Sequence, residues 1–494
     1  IMLSAIGYVS LSTGEKPFQA INNHINPVLG WGWLIATLLA NCVWSLPQFN
    51  LATAATRQNL LPGVFGAGAM GDKPAAAIIC VIIAIVCTVA VWSYDSDGMG
   101  RKVFDWFLKG VVGLIVVSFF GVVVKLSLAQ EGGLDWGQIG AGFIPNLKLL
   151  SNPAASFTPH LEAVGENFRG FWEAIIVSQQ RDVMIGAAAT AVGINMTFLL
   201  PYSMLKRGWD KDFRGLAIFD LSTGLFIPFI LVTGCVVIVS ASQFHTTPAA
   251  GLLDGTATGG LRAQYEGLAS RRLAAEIGPE AIQALTPEAK ASALAALPEA
   301  DRRMAAMLVK RDSNQLALSL APLTGDVVAN VIFGVGVVGM AVSSIIILML
   351  INGFVICEML DRPLHGKTYR FGAMLPLLGV LGPFVWGAAK ARFWLAVPTS
   401  VFGMVLLPIA YFSFFLMMNQ RSLLKENMPS GGKRVAWNVL MVLAAGLASF
   451  GSIWSLWNKL RWTGMAILGI FLLCATVVQV MRRGRTQATS SVTS

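Results

Sequence analysis

Val328-Ala-Asn-Val-Ile-Phe-Gly-Val-Gly-Val-Val-Gly-Met-Ala-Val-Ser-Ser-Ile-Ile-Ile-Leu-Met-Leu-Ile-Asn-Gly-Phe-Val-Ile356 carries no charged residue from end to end. A helix crosses ~30 Å of hydrocarbon with about 17–20 such residues, and this run is longer than that. Runs near or above the same length recur at 76–93, 111–127, 372–389, 394–418, 436–457 and 463–481, with further ones at 30–46, 183–205 and 216–243. None alternates as a barrel strand would. An open sheet is excluded because lipid offers no partner for unpaired backbone groups. The sequence therefore specifies an all-α, polytopic transmembrane bundle.

Composition agrees. Only 13% of residues are charged, about half the share in soluble domains, roughly 25%, and mean hydropathy is +0.66. The net charge of +10 would suggest nucleic acid in a soluble protein. In a membrane protein it marks the cytoplasmic face instead, so no nucleic-acid partner is expected; the expected partners are the lipid bilayer and a transported solute. Cys42, Cys80, Cys87, Cys235, Cys357 and Cys474 lie in or beside apolar runs without a CxxC pair, which reads as packing. His24, His160, His245 and His365 sit outside the spans, so no multi-histidine metal cage is visible, and no nucleophile–base spacing suggests an enzyme.

Loop charge orients the chain. The segments Lys206–Arg214, Arg362–Arg370 and Arg421–Arg434, and the tail with Arg482, Arg483 and Arg485, are short and basic. They fall on one side by helix count, which makes that side cytoplasmic; a bacterial inner membrane is the expected setting. Residues 246–317 differ in kind, with eight Lys/Arg and eight Asp/Glu. Thr286-Pro-Glu288 reads as an N-cap, a first-turn proline and an acid at the helix dipole's positive end. The stretch 298–311 repeats the pattern. Two or three short helices outside the membrane are expected there, between a first core part, 1–245, and a second, 318–494. Ile1–Leu11 is too short to span and reads as the tail of a helix, with at least one more transmembrane helix expected upstream.

Ionisable residues inside a bilayer are costly and point to function. The runs 30–46, 76–93, 394–418, 436–457 and 463–481 contain no Asp, Glu or His. Asp220 and Asp326 lie near helix starts and suit a structural or interfacial role better than a site. One helix reads as broken: in Gly186–Tyr202, Gly193 and Pro201 bracket Ile194-Asn195-Met196-Thr197. Glycine and proline weaken the backbone ladder, and discontinuous helices build transporter sites from freed carbonyls and dipole ends. Asn195 offers an amide oxygen and Met196 a soft thioether; Val192, Gly193 and Thr197 complete the candidate site. A hinged packing helix is the competing reading.

The order and spacing of several segments resemble the Nramp family of divalent-metal transporters. Ala188–Arg207 and Phe213–His245 are similar to its sixth and seventh helices. Leu134-Asp-Trp-Gly-Gln-Ile-Gly-Ala-Gly-Phe-Ile-Pro145 is similar to the loop before them. Leu320–Asp326 through Ser344 is similar to the eighth, and Leu407-Pro408 onward to the tenth. The resemblance implies a LeuT-like fold of two inverted five-helix repeats, about 11–12 helices in the full protein. It implies secondary transport or facilitated movement of a divalent cation (manganese, iron or magnesium class) by alternating access, with no cofactor. The departures are equally specific. The family's Met-Pro-His motif falls on Ile194, Asn195 and Met196 or, with a slip of two, its methionine falls on Met196. Its acidic third-helix residues fall around Pro47, Gln48 and Asn50. Its tenth-helix glutamine falls on Thr399 or Ser400. These place the chain nearer the Nramp-related magnesium transporters. Gln48, Asn50, Asp220, Thr399 and Ser400 are secondary site candidates. A small organic solute on the same fold, or a non-transporting sensor, remain the alternatives.

The orientation has a direct test. A cysteine at Asp210 should be shielded from an impermeant thiol reagent in intact cells, while one at Gly259 should react. The reverse labelling pattern would invert the topology.

Overall fold

The computed structural model describes residues 1–66, 68–94, 99–128, 134–144, 146–191, 193–257, 259–311, 315, 325, 327–387 and 392–492. No strand occurs among them. The helices are α1 Met2–Thr13, α2 Pro27–Ala55, α3 Asp72–Tyr94, α4 Met99–Ser127, α5 Glu166–Ala191, α6 Ile194–Lys206 and α7 Ile227–Phe244. They continue as α8 Gly259–Ile277, α9 Glu299–Met307, α10 Phe333–Met359, α11 Lys367–Met374, α12 Arg392–Met418 and α13 Gly431–Val492. Short helical turns join them. Among the described residues six helices are long and apolar enough to cross a membrane, or seven if a bent pair at the end of α12 counts as one span. The continuous stretch Gly431–Arg482 is 52 residues long, about 78 Å at 1.5 Å per residue. That is two crossings, and the chain turns between them at Arg461, whose φ of 49° breaks the helix. The runs 436–457 and 463–481 are those two halves.

The helix α2 is the hub. Its start is fixed by Asn26, whose side chain accepts from the Val28 amide at 2.8 Å, and by Pro27 in the first turn, where a missing N–H costs nothing. The Asn26 amide also donates to the Ala475 carbonyl at 2.8 Å and to Gln479 at 3.1 Å, which ties α2 to the second half of α13. Along its length α2 packs on α6, α10, α12 and the 375–387 segment. Its buried face includes Trp33, Leu34, Thr37, Asn41, Ser45 and Phe49. The 375–387 segment approaches so closely that a Cβ on Gly382 would strike the Leu46 carbonyl. The neighbouring stretch Leu375–Leu381 is wound as a 3-10 helix.

The basic segments converge at one end of the bundle. Arg214 donates to Ser12 at 3.0 Å and to Asn427 at 3.2 Å. Arg482 donates to the carbonyls of Asn22 and Ile25 at 2.9 and 3.3 Å. His365 shares a pocket with Lys16 and Lys206. The opposite end carries a second, smaller core of Phe157, Leu161, Trp172, Ile176, Ala269, Leu273 and Met304. There α8, α9 and the turns between them pack on Thr158–Val164 and the first turns of α5. The core thus draws on residues upstream of 246 as well as on 246–317. Thr286 caps Pro287–Ala295 by accepting from the Ala289 amide. The helix expected at 298–311 is shorter, Glu299–Met307: Leu308 leaves helical geometry and its carbonyl accepts from Gln179 at 3.0 Å.

One buried ion pair holds this outer unit. Arg272 and Asp301, both 2% exposed, meet at 2.9 Å. The Trp172 indole of α5 donates to the other Asp301 oxygen at 2.6 Å, and the Phe168 ring lies 3.1 Å from the guanidinium. Arg272 also pairs with Glu276 at 2.8 Å, so removing Asp301 leaves the guanidinium one partner but takes the acceptor from the buried Trp172 indole, which costs about 1–3 kcal/mol. Asp301→Ala should therefore open 259–307 to limited proteolysis while the membrane-embedded helices stay intact. Cleavage at the wild-type rate would show that the pair does not hold the unit.

Candidate functional site

The chain leaves helical geometry between α5, which ends at Ala191, and α6, which begins at Ile194. Gly193 is extended, with φ −72° and ψ 158°, a conformation open to any residue. Its lack of a side chain matters for another reason: a Cβ there would overlap Oδ1 of Asn195. The break is shorter than the sequence suggested. Ile194–Thr197 are the first turn of α6 rather than an unwound segment, because Gly193 serves as the N-cap and the helix restarts at once. Pro201 sits inside α6; it removes only the donor that the Thr197 carbonyl would otherwise have. Two half-helices thus meet end to end. The last carbonyls of α5 and the first amides of α6 lack helical partners, and these ends carry negative and positive partial charge respectively.

The side chains of this turn differ sharply. Asn195 is 7% exposed, and its Oδ1 accepts from the Met196 amide at 3.0 Å, so the oxygen is folded onto its own backbone. A ligand would have to draw it away. Met196 is 40% exposed and presents its thioether outward. Thr197 is fully buried: its hydroxyl donates to the Ile194 carbonyl and accepts from the Trp33 indole of α2 at 3.0 Å. Trp33 packs on Phe198 at 5.2 Å and Phe414 at 5.8 Å between ring centroids, and Phe198 stacks on Tyr202 at 4.3 Å. An aromatic column of α2, α6 and α12 residues thus backs the broken helix. Trp33 lacked any sequence cue other than its four-residue spacing to Thr37, Asn41 and Ser45.

The column leads down α6 to the basic end. There Tyr202, Leu205 and Lys206 line a pocket of about 570 Å³ with Lys16, Leu364 and His365. Beside it Lys16 bonds the buried Glu358 carboxylate at 2.5 Å, joining the α1–α2 connection to the end of α10. Neither residue stood out in the sequence, because Glu358 lies at the edge of its apolar run.

Gln48 and Asn50 lie on α2, about 22 Å or more beyond Trp33 at 1.5 Å per residue. Both are half-buried. Asp220 is exposed at the end of the turn Arg214–Asp220, before a π-helical turn, Leu221–Phe226. Thr399 and Ser400 are on α12, their side chains outside the described residues, as are Val192 and Asp326. Among the described residues no group of three or more His, Cys, Asp or Glu could hold a metal ion.

The profile described as "Natural resistance-associated macrophage protein-like", Nramp, matches residues 2–259 and 294–457. The chain belongs to the Nramp family. The two matched stretches leave out 260–293, which holds most of α8 and part of the outer unit. Two solved structures of mutants of the Eremococcus coleocola manganese transporter superpose on this Nramp chain with a TM-score of 0.53 and 12% identity. Each alignment covers 97% of this chain and 84% of the other. They show a shared fold. No curated protein matches by sequence.

Proposed function

We propose that this Nramp protein is a transporter that moves a divalent metal cation across the membrane by alternating access, with the α5–α6 break as its site. The observation that carries the reading is the junction itself. The carbonyl-bearing end of α5 at Ala191 and the first turn of α6, which carries Met196, adjoin at this junction. Freed carbonyls, the Thr197 carbonyl above Pro201 and a thioether are ligands a borderline metal accepts. The manganese transporters that share the fold support the same substrate class. Asn195 would join as a ligand by releasing the Met196 amide. The basic loops support a cytoplasmic location for the end that holds Lys206–Arg214, with the outer unit, 246–317, on the other side. The membrane is a bacterial inner membrane in this reading.

Uptake of manganese into proteoliposomes tests the site. Losing a buried polar partner costs about 1–3 kcal/mol, roughly a five- to hundredfold loss of affinity. Asn195→Ala should raise the apparent half-saturation concentration by that order, and Met196→Ala should raise it too, while expression is kept. Gly193→Leu should do the same by displacing the Asn195 amide. Packing residues would behave differently, with yield and thermal stability falling together and affinity unchanged in the surviving protein. If all three variants transport with wild-type affinity, the site lies elsewhere.

Coupling gives a second test. Where the family's third helix carries acids, α2 carries Gln48 and Asn50, neither of which titrates. Metal entry should leave the internal pH of the proteoliposomes unchanged. Stoichiometric acidification would refute this and direct attention to a proton route not built on α2.

A further inference from the structure

Three side-chain oxygens on α2 are buried without a hydrogen-bond partner: Thr37 Oγ1, Asn41 Oδ1 and Gln48 Oε1. Thr37 and Asn41 are fully buried and one turn apart, so their Cβ atoms lie about 5–6 Å from each other on one helix face. Thr37 is about 16 Å along α2 from the cap at Asn26, near the middle of a ~30 Å hydrocarbon layer. An unpaired buried polar atom is costly there, and two side by side on one helix face require an explanation.

The neighbouring groups narrow it. The Asn41 amide donates to Oδ1 of Asn352 on α10 at 2.7 Å. The Asn352 amide in turn points at the Leu38 carbonyl at 3.4 Å and the Cys42 sulfur at 3.5 Å. Ser45 donates to the Cys42 carbonyl at 2.8 Å, and the Trp33 indole is committed to Thr197. The amide donors are thus turned away from the spot, and what faces it is oxygen. An anion would find one donor, the Thr37 hydroxyl, and would be repelled by the Asn41 oxygen. A water could donate to the Asn41 oxygen and accept from the Thr37 hydroxyl, and the experiment below separates it from an ion. A cation needs no acceptor, and oxygens on side chains one turn apart on a helix face can converge on a single ion. No carboxylate faces the spot from the α2 or α10 residues named here, so a divalent ion would lack the charge that compensates its dehydration. A monovalent ion requires much less.

We propose that the α2–α10 seam holds a monovalent-cation site, sodium or potassium, built on Thr37 Oγ1 and Asn41 Oδ1, with the Asn41–Asn352 pair holding the Asn41 oxygen outward. It lies one turn from Trp33, which bonds the first turn of α6, so an occupied site braces α2 against the broken helix. The site is independent of which solute crosses at the break.

The experiment reads folding rather than transport. Thermal unfolding of the full chain in nanodiscs is followed by tryptophan fluorescence in sodium, potassium or choline chloride at one ionic strength. A cation at ~100 times its dissociation constant multiplies the folding constant about a hundredfold. Sodium or potassium should therefore raise the midpoint above that in choline. Thr37→Val keeps the volume and removes the oxygen; it should be at least as stable as wild type in choline and should lose the increment from the alkali ion. Asn41→Leu should lose it too, with a lower baseline because the Asn352 amide loses a partner. Equal midpoints in all three salts would overturn the proposal and leave a water-filled spot. An undiminished increment in Thr37→Val, or a Thr37-dependent increment from magnesium or manganese alone, would overturn it as well. A protein that binds the alkali ion but moves no divalent metal would refute the transport reading and leave this one standing.

Discussion

Backbone amides and carbonyls cannot be left unpaired in hydrocarbon, and each departure from helix in this chain has to be met by a specific neighbour. At the α5–α6 break the neighbour is α2, whose Trp33 indole bonds the Thr197 hydroxyl and whose aromatic contacts wall the gap. At the start of α2 the Asn26 side chain satisfies the Val28 amide and reaches α13. The packing of α2 follows from the same constraint. A helix that stabilises breaks in others must touch many of them, and α2 touches α6, α10, α12 and the 375–387 segment.

That centrality puts the polar residues of α2 in a different light from a conventional proton path. Thr37, Asn41, Ser45 and Gln48 follow one face at three- and four-residue spacing, all neutral. Neutral oxygens cannot store a proton, but they can hold water or a low-charge ion without the desolvation cost of a carboxylate. The titratable groups sit instead at the ends. Lys16 and Glu358 pair where α10 reaches the basic end, and Arg272 and Asp301 pair in the outer unit. Among the described residues these two pairs fasten the two ends of the bundle. The outer unit has a mechanical consequence as well. Trp172 joins it to α5, the half-helix that ends at the break, so the unit and that half-helix form one packed body at their outer end.

Much of the architecture was legible in the chain. Long uncharged runs can do little else than span as helices, and the helix break was marked by Gly193, whereas Pro201 is taken into α6. The family followed from the order of segments rather than from any one motif. The site was legible in position but not in detail. Asn195 and Met196 were visible as the polar and sulfur residues of the break, yet their opposite orientations were not: one oxygen is folded onto its own backbone and one thioether is turned out. Gln48 and Asn50 were plausible by type, and α2 carries them about 22 Å or more along its axis from Trp33, which backs the break.

What the sequence determined by itself is what local rules can reach. Apolar length set the spans, Asn26-Pro27 and Thr286-Pro287 set helix starts, and the basic segments set which ends belong together. Only the tertiary structure decided that Trp33 backs the break, that Glu358 meets Lys16, and that the oxygens of Thr37 and Asn41 are left without partners. These pairings join residues 164 and 342 positions apart in the first two cases. No local periodicity carries information over such separations. The pairing depends on which helix faces pack, and in a bundle of uniformly apolar helices those faces are chosen by shape and by a few polar contacts.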